Sequence, residues 1–162
     1  MDPILSAEQV SVRYGSTEVL HDVTFSARTG DYIALAGPNG AGKTTLAKTI
    51  IGLVSRYTGT IRLFGKDIKD FKDWNRIGYL PQKATSFNPL FPATVKEVVG
   101  LGLLSEKRFP RYFSRKDEEE IDRALGLMGI SGLGDRLIGE LSGGQQQRVF
   151  LARSLVSDPK LL

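Results

Sequence analysis

Apolar and polar residues alternate near the start of the chain. Val10 and Val12 alternate with Ser11 and Arg13, the period of a half-buried strand. Gly15-Ser16-Thr17 breaks the pattern as a turn, and Val19 to Ala27 resumes it with Val23 and Phe25 on one face. Beyond Arg28-Thr29-Gly30-Asp31, a second turn, comes the continuous apolar run Ile33-Ala34-Leu35-Ala36. Such a run predicts a strand buried on both faces. The period then becomes helical: Leu46, Ala47, Ile50 and Ile51 share one face, and Gly52 is a stop. Thr60 to Phe64 predicts a short strand before the turn Gly65-Lys66-Asp67. Ile77-Gly78-Tyr79-Leu80 predicts another, followed by Pro81-Gln82.

The pattern changes after Gln82. Phe87 to Pro92 reads as a loop. Thr94-x-x-Glu97 is a capping box that opens a helix with Val95, Val98, Val99 and Leu103 on its inner side. Ser114-x-x-Asp117 opens a second, with Ile121, Leu125 and Met128 as its buried face. Ser142 and Gln145 form a third capping pair, ahead of an apolar face of Val149, Ala152, Leu155 and Val156 that Asp158-Pro159 closes. Strands and helices together predict an α/β fold. Residues 1–82 form a β-subdomain and core, 83–140 an inserted helical subdomain, and 141–162 a final helix.

Composition narrows the class. A chain of 162 residues predicts one domain, and 41% hydrophobic with 25% charged residues is ordinary for a globular protein. The absence of cysteine excludes disulfide scaffolds and thiolate metal sites. No apolar run approaches the ~20 residues of a spanning helix, and Met1-Asp2-Pro3-Ile4-Leu5 has no signal-peptide character. Any membrane connection is therefore expected through a partner. The net charge of +4 fits nucleic acid, anionic lipid or a polyphosphate ligand equally. The single histidine, His21, falls in a strand and is assigned no role.

The decisive chemistry lies between the apolar run and the first helix. Gly37-Pro38-Asn39-Gly40-Ala41-Gly42-Lys43-Thr44-Thr45 fits the phosphate-loop pattern G-x-x-x-x-G-K-[ST]. Glycines let successive backbone N–H groups turn inward around a phosphate. Lys43 supplies a compact positive charge for the β/γ oxygens, and the Thr44 hydroxyl is suited to Mg²⁺. A helix N-terminus behind the loop adds to the anion site. Gln82 ends a short strand, at the edge where α/β sheets place ligand contacts.

Two further stretches carry chemistry. Lys107 to Lys116 interleaves basic and aromatic residues, a pattern that nucleic-acid surfaces use. One short loop is a small footprint for nucleic acid, so a solvated interhelical loop with its aromatics against the helices is favoured. Leu141-Ser142-Gly143-Gly144-Gln145 places two poor helix formers in a first helical turn, which makes sense if something approaches that backbone closely.

The phosphate loop, Gln82, the helical insert and Leu141 to Gln145, in that order, resemble the ATP-binding cassette family, the motor subunits of ABC transporters. The resemblance runs from about Ala7 to Leu162. It implies a P-loop NTPase core of RecA-like type with N-terminal antiparallel strands and an inserted helical subdomain. It further implies that Tyr14 stacks on adenine, that Gly37 to Thr45 bind the phosphates of ATP, and that Thr44 and Gln82 touch Mg²⁺. Lys43 and Gln82 would be the catalytic residues present. Ser142, Gly143, Gly144 and Gln145 would clasp ATP held by a second copy in a head-to-tail homodimer.

Tyr79 to Lys83, Ser86-Phe87-Asn88 and Phe91 to Val99 look like the ATPases of zinc and manganese importers, zinc first. That implies membrane permease partners, an indirect link to a metal-binding receptor, and a place on the cytoplasmic face of the membrane. Family members continue past the equivalent of Leu162 into a strand bearing a Mg²⁺-organising Asp and a water-polarising Glu. The fold is thus expected to be incomplete at its C-terminus, and the 162-residue chain to hydrolyse ATP negligibly. A soluble ABC-type ATPase acting on nucleic acid or ribosomes, and a non-catalytic nucleotide-binding fragment, are the alternatives.

Overall fold

Leu5 and Ala7 are buried in one register of the first strand, and Val10 and Val12 in the other. Strict alternation would turn one of these pairs to solvent. A bulge at Glu8-Gln9 prevents that: the ladder slips there, and Gln9 takes a left-handed φ of 50°. The Gln9 N–H, displaced from the ladder, donates to Thr24 Oγ1 at 2.9 Å. The bulge makes a single ten-residue strand, Leu5–Tyr14 (β1), out of a segment whose second half alone showed clear alternation.

The computed structural model describes residues 2–82, 92–106 and 112–162. It divides into two compact units, Met1–Lys72 and Asp73–Leu162. In the first, β1 pairs antiparallel with Thr17–Ala27 (β2) across the two-residue turn Gly15-Ser16, and with Thr58–Leu63 (β3) on its other side. The sheet order is β2-β1-β3-β4, where β4 is the two-residue strand Lys66–Asp67. The expected turn at 65–67 is thus a tighter one, Phe64-Gly65, after which the chain pairs at once. Lys43–Ile50 (α1) buries Leu46 and Ile50. Its C-terminus closes on Gly52, at φ 74°, with Leu53 N–H donating to Lys48 O at 2.9 Å.

Two expected strands are corrected. Residues 31–38 form no strand, and Ile33 and Leu35 are 45% and 44% exposed. Nothing in the described sheet pairs with them. A strand meant for burial on both faces gains nothing from an extended backbone without neighbours, so its polar groups face solvent. Among the described residues, Ile77 to Leu80 likewise makes a single parallel bridge, Ile77 to Leu161, supported by Gly78 N–H to Leu161 O at 2.8 Å.

The second unit is helical, as its periodicity predicts. Val95–Gly100 (α2), Arg115–Leu127 (α3) and Gly143–Leu155 (α4) share one core. It includes Val98, Leu103, Ile121, Leu125, Val149 and Val156. All three capping boxes form: Thr94 with Glu97, Ser114 with Asp117, and Ser142 with Gln145. Phe150, on the side of α4 left out of the apolar pattern, is buried at 5% exposure. Phe113 packs its ring over Gly100, while Tyr112 stands 78% exposed. The rest of the basic loop, 107–111, and the segment 83–91 with the expected loop and part of the importer-like stretch, lie outside the described residues.

The α2 cap carries a pH dependence. Backbone and hydroxyl donors of Thr94 reach Glu97 Oε2 at 2.7 and 2.9 Å and hold its carboxyl below the usual value of 4.5. A lowered folded-state pKa stabilises the fold above the unfolded value. That contribution is lost as pH falls from 4.5 through the lowered value. Glu97→Gln keeps an acceptor without the charge, so its melting temperature is expected to fall less steeply than the parent's on acidification. Thr94→Ala removes the cap itself and is expected to cost about 1 kcal/mol in denaturant melts.

Candidate functional site

The chain from Gly37 to Gly42 turns by placing three glycines at positive φ: Gly37 at 154°, Gly40 at 86° and Gly42 at 80°. Gly42 is the N-cap of α1 in left-handed geometry, and no side chain caps that end. Leu46 N–H reaches back to Gly42 O at 2.8 Å, which leaves the earlier N–H groups of the helix without a helical acceptor. Gly42 also has no room for a side chain. A Cβ there would lie 2.6 Å from Leu20 Cδ2 and 2.7 Å from Val19 O, so β2 is the wall on which the loop is built.

Lys43 folds over this loop. Its ammonium donates to Gly37 O at 2.7 Å and Pro38 O at 2.6 Å. The charge is thereby held at the centre of the turn rather than on an extended stem. Thr44 is exposed and Thr45 half-buried at the start of α1. Asn39, Gly40 and Ala41 are exposed. Three glycines at positive φ, a helix N-terminus without a side-chain cap, a lysine ammonium and a threonine hydroxyl fit a phosphate with its divalent cation. A carboxylate within the loop would oppose that fit, and Gly37 to Thr45 contain none.

Tyr14, in the same unit, ends β1 opposite Thr17 and is 54% exposed, so its ring is accessible for stacking. Gln82 and Leu141 to Gln145 belong to the second unit. Gln82 is exposed. At the α4 start, Ser142 N–H donates to Gln145 Oε1 at 3.0 Å, and Gln145 N–H to Ser142 Oγ at 3.4 Å. Leu141 is buried and anchors the turn. Gly143 and Gly144 are exposed, at negative φ, and a Cβ on either would meet nothing within 4 Å. The described residues give no steric reason for glycine there.

One residue escaped the sequence reading. Gln146 sends its side-chain amide to Ile138 O at 3.1 Å and Leu141 O at 3.3 Å, tying the turn before α4 to its first helical turn. Only its polarity on a half-buried helix position could have signalled it.

The family profile described as ABC transporter matches residues 20–162, which include the phosphate loop and the α4 start. The chain belongs to the ABC transporter family. This ATP-binding domain is 47% identical, over 162 residues, to the zinc uptake system ATP-binding protein ZurA of Listeria monocytogenes. The alignment covers 100% of this chain and 63% of that protein. It is 37% identical over 161 residues to the manganese transport system ATP-binding protein MntB of Halalkalibacterium halodurans, covering 99% and 63%. Among solved structures, cbiO1 from Clostridium perfringens, part of the ABC transporter complex cbiONQ, matches with a TM-score of 0.77 at 28% identity. That match covers 98% of this chain and 63% of that one. A nucleotide-free ATP-binding cassette from an ABC transporter matches at 0.75 and 28%, covering 98% and 66%. The chain thus spans about 63% of the length of the zinc and manganese relatives.

Proposed function

We propose that the whole protein is the ATP-hydrolysing, energy-coupling subunit of an importer of a divalent metal ion, zinc first and manganese second. The observation that carries the nucleotide part is the loop itself: three glycines at positive φ around a lysine ammonium, at a helix start without a side-chain cap. Bound Mg²⁺-ATP would supply the transferable γ-phosphoryl group and the divalent charge. Lys43 and the backbone N–H groups of Gly37 to Thr45 would hold the phosphates, Tyr14 the base, and Thr44 with Gln82 the metal. Positioning and electrostatics do most of the work in phosphoryl transfer, so these residues act by holding.

Gly143 and Gly144 support a second half of the site. Two helix-weakening residues with open space around them suit a surface that another molecule approaches. On this reading Ser142, Gly143, Gly144 and Gln145 close on ATP held by a second copy, head to tail. No helix among the described residues is long and apolar enough to cross a membrane. The link to the membrane would run through permease subunits on its cytoplasmic side, and only through them to a metal-binding receptor.

The metal assignment leans on the zinc relative's 47% identity across the chain. Cells lacking the gene are expected to lose accumulation of labelled zinc and regain it when the full-length gene is restored. Normal zinc uptake together with lost manganese uptake would reverse the order of the two cargoes. Normal uptake of both would sink the importer reading.

A further inference from the structure

The last turn of α4 is held by two glycines that the function above leaves unused. A Cβ on Gly78 would overlap the carbonyl oxygen of Ser154, and one on Gly102 would overlap that of Arg153 and lie 2.5 Å from Val156 Cγ1. Both oxygens belong to the final helical turn, whose carbonyls lack helical partners. A Cβ takes the direction of one Cα hydrogen. Each glycine therefore points a C–H at a carbonyl of α4, a weak contact that recurs where backbones pack closely.

The two glycines come from different segments. Gly78 lies four residues before Gln82, and its own N–H is fixed to Leu161 O at 2.8 Å. Gly102 lies in the 3-10 turn Leu101–Glu106 that follows α2. Both obstructing oxygens are backbone, so no rotamer change relieves them, and a larger residue shifts the helix end against the glycine's own segment. The opposite end of this 13-residue helix is Ser142 to Gln145. A rigid helix of roughly 20 Å transmits a tilt from one end to the other.

We propose that Gly78 and Gly102 are positioning residues that set the direction of α4, and so the presentation of Ser142 to Gln145 to a second ATP-loaded copy. The inference rests on the reading of that turn as half of a composite site. At Gly100 and Gly134 a Cβ would meet side chains, Phe113 and Lys96, and on Gly126, in α3, it would meet only Ser131 Oγ at 3.7 Å, so among the described residues of this unit only Gly78 and Gly102 press on backbone.

The test uses the full-length protein with Gly78→Ala, Gly102→Ala and, as control, Gly126→Ala. Three properties are read: thermal midpoint, affinity for a fluorescent ATP analogue with Mg²⁺, and ATP-driven dimerisation by analytical ultracentrifugation. Gly78→Ala and Gly102→Ala are expected to bind nucleotide as the parent does. Their ATP-driven dimer is expected to weaken about 10- to 100-fold, the scale of loss when a central interface contact is removed. Gly126→Ala is expected to match the parent in nucleotide affinity and dimerisation and to melt no lower than it. An unchanged dimer in both folded variants overturns the proposal. So does loss of nucleotide binding together with the dimer, or failure of both variants to fold, because each makes the glycines merely structural. A parent protein that binds ATP and stays monomeric removes the composite-site reading first, and this inference with it.

Discussion

Full-length protein carrying Lys43→Ala is expected to lose about 100-fold or more in affinity for Mg²⁺-ATP while melting within a degree or two of the parent. A hydrogen bond to a charged group contributes roughly 1.5–3 kcal/mol, and a lysine on two phosphate oxygens reaches the upper end of that range. At about 1.4 kcal/mol per tenfold, the loss is on the order of 100-fold. Stability is unaffected because the present partners of Lys43, the Gly37 and Pro38 carbonyls, are exposed and can turn to water. Titration calorimetry and a thermal melt on the same preparation check both halves. Retained affinity would remove Lys43 from the site. Lost affinity with a collapsed melting temperature would make it a structural residue.

The second large effect is on stability. Gly42→Ala is expected to destabilise the first unit by about 3 kcal/mol, through roughly 1–2 kcal/mol for a left-handed non-glycine residue and 1–3 for overpacking. The backbone term comes from φ 80°, and the packing term from the approach of Leu20 Cδ2 and Val19 O to the new Cβ. Gly40→Ala separates the two. Gly40 has φ 86° but nothing within 4 Å of a Cβ, so only the backbone term applies there, about 1 kcal/mol. Urea titrations of the two variants should therefore differ by about 2 kcal/mol. Equal midpoints would mean that β2 yields to the added methyl, and that the loop is not fixed by that wall.

The same contrast decides what else Gly42 does. A loop that must shift to admit a Cβ also moves Lys43, the next residue. Gly42→Ala should then weaken nucleotide binding as well, whereas Gly40→Ala, in open space, disturbs it only through the local backbone. Comparing the affinities of the two variants at a temperature where both remain folded isolates this effect from the loss of stability.

The helical unit was legible because its signals are local. A capping pair such as Thr94 and Glu97 is complete within four residues, and an apolar face such as Val149, Ala152 and Val156 repeats within two turns. The phosphate loop was legible for the same reason: Gly37, Gly42 and Lys43 state their geometry by identity and spacing. Family membership followed from the order of such motifs, and the comparisons bear it out.

What the tertiary structure decided concerns pairing and close approach. Ile33 to Ala36 has the composition of a buried strand, but a strand exists only through neighbours, and the described sheet offers it none. The bulge at Gln9, which keeps Leu5, Ala7, Val10 and Val12 on one side, shows only once β1 is laid between β2 and β3. Gly42, Gly78 and Gly102 are glycines for reasons that lie far away in sequence, at Val19, Ser154 and Arg153. Sequence spacing reports how a segment turns on itself. Which backbone it must then touch is fixed by packing, where a single Cβ is too large.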